Sequence, residues 1–406
     1  RAPRRPRGRR PPAETPPPPV TARPAIPYPP PQPEIGLPAP STPPEFKAPA
    51  PRSAEPKIAL PSPIPLPEVL RRSVLRLEDT AVKVPASGEP IGEAALEGEW
   101  LAMAAGTRSP AVQLYKVDAG KFTRSTPPVS FPSVVPVAHL ALSGKSAAEI
   151  LVAAPDGSVS VLELASGRWQ AMQPEAGVTK RVVRVTYDAV LETFAIVSVL
   201  RKGSSSTYTT ILERFSAAKK KGATQVLLAE SGLVQAAAIS GRYYALMLNA
   251  RGILVLDGGD NRRLLDHRTS EMLHVVEFSP AATYLAAAGE PSRVYLWEQS
   301  NGRYGEPKVL DIPDEVKPEG RDPPTVRSLS FSADRSHVAA GLSNGAILVW
   351  KLSGTNPLVA TYKPSQDADV LSWLYFAQDA QARNLLIFPA SDGSVRSIPP
   401  ELIAQR

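Results

Sequence analysis

The sequence predicts an all-β fold, a seven-bladed β-propeller of four-stranded antiparallel blades behind a disordered, proline- and arginine-rich N-terminal tail. Of the 46 prolines in 406 residues, 25 fall within the first 67, so two different polymers are joined. Past Pro67 the texture changes to short alternating apolar runs separated by Gly, Ser, Asn and Asp, with no long stretch at helical spacing. Within that region one unit recurs seven times.

The tail, residues 1–67, holds ten Lys plus Arg against four acids, which leaves 36 basic and 35 acidic residues for everything after it. The overall charge of +7 therefore belongs mostly to the tail. Its proline runs at 16–19 and 29–31, with only Tyr28 and Phe46 as aromatics, cannot bury enough apolar surface to offset backbone ordering. Extended polyproline II is expected, and with it a spacer role. The cluster Arg4, Arg5, Arg7, Arg9 and Arg10 reads either as a solvated, self-repelling linker or as a contact to nucleic acid or an anionic surface through counterion release. None of the PxxP strings carries a correctly placed arginine for an SH3 ligand.

The absence of cysteine excludes disulfide frameworks, iron–sulfur clusters and thiol nucleophiles. No run of about 18 apolar residues encodes a membrane span. The chain begins with Arg1, so the compartment stays open: cytoplasmic is favoured, with periplasmic or membrane-tethered as alternatives if a segment precedes it.

Two segments align without gaps, EFSPAATYLAAAGEPSRVYLWEQSNG from Glu277 and SFSADRSHVAAGLSNGAILVWKLSG from Ser330, and Phe-to-Trp spans 19 residues in both. Weaker copies start at Leu140, Ala236 and Tyr375, and fainter ones at Glu99 and Val182. The last apolar residue of each third strand marks the unit: Tyr115, Leu162, Leu212, Leu256, Trp297, Trp350 and Ile398, spaced 47, 50, 44, 41, 53 and 48 apart. Asp156-Gly157, Asn344-Gly345 and Asp392-Gly393 supply the positive dihedrals of a tight hairpin between second and third strands. Gly120, Gly167, Gly302 and Gly354 punctuate the chain after the third strand. Small antiparallel sheets at this period are what a propeller stacks into a ring.

The copies at Glu277 and Ser330 resemble WD-repeat (WD40-like) blades in their Phe-Ser-Pro/Ala entry, small-residue second strand and terminal aromatic. The likeness covers about residues 70–406 and departs from the family at the Trp-Asp dipeptide, which appears as Trp297-Glu298 or Trp350-Lys351; no Gly-His precedes any blade. The family's buried His, Ser/Thr, Asp and Trp network is therefore not expected. The resemblance implies a ring closed by joining the chain ends in one sheet. Pro399 and Pro400 stop a further strand at the C-terminus, so 73–77 (SVLRL) or 81–84 (AVKV), within the segment 70–84, is expected to close it.

Tests for chemistry return little. Ser343 lies in a G-x-S-x-G string, but in a hairpin of a repeat rather than at a strand-to-helix elbow. Ser143-Gly144-Lys145-Ser146 lacks the glycine five residues earlier that a phosphate loop needs, since His139 stands there. None of His139, His267, His274 and His337 has a partner at metal-ligand spacing, so no metal or cofactor is expected.

In WD-repeat proteins the face carrying the blade-to-blade links and the second hairpin usually receives partners. The longest link, 311–324 (DIPDEVKPEGRDPP), places Lys317, Glu319, Arg321 and Asp322 on that face, with Arg268, Glu290, Arg293 and Asn344 beside them. The expected function is a monomeric, non-catalytic protein-interaction scaffold tethered by the tail. The alternatives are a propeller enzyme of lactonase, lyase or glycosidase type with its site at the channel mouth, and nucleic-acid or anionic-surface association through the tail. A proline-rich arm leading into a propeller suits a bacterial multidomain protein, and the alanine- and arginine-rich composition points to a GC-rich genome.

Overall fold

In a computed structural model of the chain, the structure describes residues 75–76 and 91–403 with breaks in loops, the longest at 173–177, 216–223, 318–322 and 364–371. The tail and its arginines lie outside the described residues.

Seven antiparallel sheets follow one another along the chain as the blades of a propeller. Blade 1 is built from Ile91–Glu97, Trp100–Ala105, Ala111–Asp118 and Lys121–Arg124; blade 2 from His139–Leu142, Glu149–Ala153, Val159–Glu163 and Arg168–Met172. Blade 3 takes Val178–Asp188, Thr193–Lys202, Tyr208–Phe215 and Thr224–Glu230; blade 4 takes Val234–Ser240, Tyr243–Leu248, Gly252–Asp257 and Arg262–His267. Blade 5 comprises Met272–Phe278, Tyr284–Glu290, Arg293–Ser300 and Lys308–Asp311; blade 6 comprises Val326–Phe331, His337–Leu342, Ile347–Lys351 and Leu358–Lys363. Blade 7 has Tyr375–Gln378, Asn384–Pro389 and Val395–Ile398 among the described residues. All seven third-strand markers fall in third strands and all are buried.

The core is a cycle of interfaces rather than one centre. Each apolar cluster joins a blade to the next, as Ala245, Met247 and Val255 of blade 4 do with Leu285, Tyr295 and Trp297 of blade 5. The second strands carry small residues at this contact, such as Ala286 and Ala288 facing Leu348 and Trp350 of blade 6, so sheets approach closely enough for the large third-strand side chains to fill the gap. The ring closes where Ala94, Leu101 and Met103 of blade 1 pack with Trp373, Leu385 and Ile387 of blade 7. There the Tyr375 hydroxyl also donates to the Ala94 carbonyl at 2.7 Å.

The turn chemistry is specific at Gly157. Its φ of +85° is open to glycine at little cost, and a Cβ there would stand 2.1 Å from the Lys180 carbonyl oxygen of blade 3. Gly345, Gly167 and Gly302 share the positive φ.

Of the expected closing segment only Leu75–Arg76 is described, and the alternative at 81–84 lies outside the described residues. These two residues pair in parallel with Tyr362 and Lys363 on the outer edge of blade 6, not with blade 7. That edge offers a row of unpaired backbone groups, and an added strand satisfies them. Removing 70–84 is expected to lower the melting temperature by about 2–4 °C, whereas removing 1–60 leaves it nearly unchanged. Equal tolerance of both deletions contradicts the pairing.

Candidate functional site

Two regions gather polar side chains: the face carrying the blade-to-blade links, and the bore lined by the inner strands. Within each blade the strands run from the inside outwards, so links between blades and second-to-third hairpins share one face.

On that face the described ends of the long link between blades 5 and 6 are anchored. Ile312 and Val316 are buried in the cluster between these blades, and a 3₁₀ turn, Asp314–Val316, carries the chain between them and Lys317. Asn344 Nδ2 donates to the Val316 carbonyl at 2.8 Å, while Asn344 Oδ1 accepts from the Ala346 amide at 3.2 Å. Ser343 ties the far end: its amide donates to the Thr325 carbonyl at 2.8 Å and its Oγ accepts from the Thr325 amide at 3.0 Å. The serine of the G-x-S-x-G string therefore anchors a link. Lys317 Nζ lies 2.6 Å from Asp314 Oδ1, a contact whose hydrogen bond and charge hold the carboxyl below its usual range.

Arg293 pairs with Glu271 at 3.1 Å, and Glu290 with the His274 ring at 3.4 Å. Arg268 is 85% exposed and 3.8 Å from Asp266. Lys317, Arg268, Glu290, Arg293 and Asn344 thus all lie at links or second-hairpin ends of one face. Glu319, Arg321 and Asp322 lie outside the described residues.

The bore was not anticipated by residue. In five inner strands the register slips, at Ile91/Glu93, Val182/Arg184, Val234/Ala236, Leu273/Val275 and Val326/Ser328. A bulge re-aims the side chains that follow it. Glu93 and Arg184 come directly after two of these slips and line a cavity of about 100 Å³ with Glu97, His139, Tyr187 and Tyr375. Arg184 Nη2 donates to Glu277 Oε2 at 2.8 Å, which joins blade 3 to blade 5 past an inner strand of blade 4 that presents Ala236, Ala237 and Ala238.

Although walled in by the ring, these side chains still meet solvent, with 37% of Arg184 and 23% of Glu277 accessible. Burial raises Glu93 to about 8 against the opposing pull of Arg184, so its carboxyl is mostly protonated at neutral pH. Burial, with the Arg184 charge, lowers His139 to about 4 and keeps its ring neutral. Burial also raises Glu277, outweighing its arginine, while the Glu277 charge raises Arg184. The sequence signal was a charge flanked by apolar residues, VVRV at Arg184 and VVEF at Glu277.

A third group has the residue types of a nucleophilic triad and the wrong connectivity. Ser336 Oγ touches both Asp334 Oδ1, at 2.7 Å, and His337 Nδ1, at 2.6 Å. In a working triad the imidazole stands between acid and serine. Here serine stands between them, and Asp334 also accepts from Ser332 at 2.6 Å and from Asn384 at 3.0 Å. Burial opposes ionisation of Asp334, yet these hydrogen bonds hold it at about 2. The cluster shapes the first hairpin of blade 6. Among the described residues, no group of His, Asp and Glu is placed to hold a metal ion. Among them, too, no helix is long and apolar enough to cross a membrane.

No family model matches the chain, and no curated protein matches it in sequence. Solved structures do match it in fold. The β-propeller domain of Cps50 (Swd1) from Myceliophteria thermophila superposes with a TM-score of 0.58 at 12% identity, covering 78% of this chain and 98% of that one. At this identity the likeness is one of fold alone, a β-propeller matched to a β-propeller.

Proposed function

We propose that the protein is a non-catalytic protein-interaction scaffold that binds a protein partner on the face bearing the blade-to-blade links. The observation that supports this reading is the anchoring of both described ends of the link between blades 5 and 6. A long charged loop held at both ends, by Asn344 at Val316 and by Ser343 at Thr325, loses less conformational entropy on binding than a free one. Arg268, Glu290 and Arg293 widen the same face with charges of both signs, a composition suited to selecting a partner by complementarity. The tail serves as the tether.

The test is affinity capture with the full chain, comparing wild type with Lys317, Glu319 and Arg321 all changed to Ala. Truncating charged contacts near a binding centre weakens capture of the specific partner about tenfold or more. A partner list and yields unchanged by the triple substitution contradict the choice of face.

A second reading, a propeller enzyme working at the channel, draws on the convergence of Glu93, His139, Arg184 and Tyr375 in the bore. Turnover of a lactone or glycoside that is lost in Glu93→Gln would favour it over the scaffold. The tail's association with nucleic acid or an anionic surface is a separate proposal, tested by salt-dependent binding of residues 1–25.

A further inference from the structure

We propose that the cavity beside Arg184 in the bore is a binding site for a short-chain monocarboxylate. The inference goes beyond the scaffold reading and does not depend on it.

The guanidinium supplies the anchor. Of its N–H groups, the structure pairs Nη2 with Glu277, while Nε is covered and without a partner. More than a third of the side chain remains accessible in the bore, at 37%. Arginine is suited to a second carboxylate because its planar fork presents several donors at fixed angles. Glu277 already fixes the plane of that fork, so little ordering is left for the ligand to impose.

The remaining walls decide the class. Glu93 lines the cavity and, as a neutral acid, donates a proton to an oxygen anion rather than repelling it. The neutral His139 ring stands on the adjacent inner strand. A cation in this cavity would meet the Arg184 charge, and a dianion would meet Glu277 and Glu97. Arg184 is the one cationic side chain among the described residues lining the cavity, so a single negative charge finds its counter-charge there and a protonated Glu93 adds a donor. Leu140 and Val185 also line the cavity and offer an apolar wall for a short alkyl chain. At about 100 Å³ the space takes a few waters or a molecule of acetate to propionate size.

The experiment titrates the full chain with ¹³C-labelled propionate by NMR, using methylammonium as a cation of similar size. Wild type is expected to show saturable propionate binding and none for methylammonium. Arg184→Met combined with Glu277→Leu removes both charges together, leaves no unpaired ion, and weakens propionate binding at least tenfold. Glu93→Gln keeps a neutral hydrogen-bonding group and provides the second readout. In wild type the affinity falls as pH rises through about 8, because the ionised Glu93 repels the ligand. Glu93→Gln flattens that dependence. Of the other groups facing the site, His139 is held at about 4 and burial raises Tyr375 and Tyr187; burial also raises the Glu97 and Glu277 carboxyls, so only the part of the dependence that Glu93→Gln removes is assigned to Glu93. No saturable binding, equal binding by the double variant, or uptake of methylammonium in place of propionate each overturns the proposal.

Discussion

Trp297→Ala is expected to destabilise the ring by about 3–5 kcal/mol, the range for deleting a large buried aromatic. Trp297 is 0% exposed and fills the interface between blades 4 and 5, packed with Ala245, Met247 and Val255 and in edge-on contact with the His267 ring at 5.2 Å. Its neighbours belong to two sheets fixed by their own hydrogen-bond ladders, so the gap cannot collapse cheaply. Trp297 Nε1 has no hydrogen-bond partner, so the loss is one of packing rather than of a polar contact. Trp297→Phe keeps an aromatic ring, removes that unsatisfied donor and should recover more than half of the loss. Denaturant unfolding of the two variants measures it. A Trp297→Ala cost under about 1 kcal/mol would mean that the interface repacks and that blades 4 and 5 are not fixed as described.

The second large effect is electrostatic. Arg214 Nη1 donates to Asp188 Oδ2 at 2.9 Å, and Nη2 donates to the Tyr244 hydroxyl at 3.1 Å, binding blade 3 to blade 4. The two side chains are 17% and 3% exposed. Removing one partner of a buried pair leaves the other charged and dry, at a cost of about 3–5 kcal/mol, whereas removing both is far milder. Arg214→Ala is therefore expected to cost that much. Arg214→Met with Asp188→Asn should recover most of it, since Asn retains an oxygen for the Leu191 amide that Asp188 now accepts at 3.1 Å. Similar losses in the single and double variants would show that the pair acts through packing alone.

The repeat was legible because each blade solves the same local problem. A tight turn needs glycine at positive φ, and a third strand buried between two neighbours needs a large apolar residue, so Gly157, Gly345, Trp297 and Trp350 recur at fixed offsets. That Arg268, Glu290, Arg293, Lys317 and Asn344 share one side follows from strand order, because alternating hairpins assign every loop to one side. The bore was harder to read. Arg184 and Glu277 lie 93 positions apart and meet because the ring places blades 3 and 5 around one axis, which no local pattern encodes. Charge inside an inner strand was visible at both, but its direction depends on a bulge, and a bulge shifts register without a distinctive residue. The segment at Leu75–Arg76 was recognisable as a strand, yet nothing in its sequence marks blade 6 as the blade it pairs with.

Hydrogen–deuterium exchange of the full chain, with and without the captured partner, tests the central claim most directly. Protection is predicted at 268–271, 290–293, 312–325 and 343–346, the links and second hairpins of blades 4 to 6. Protection confined to the first hairpins on the opposite face, at 279–283 and 332–336, would contradict it.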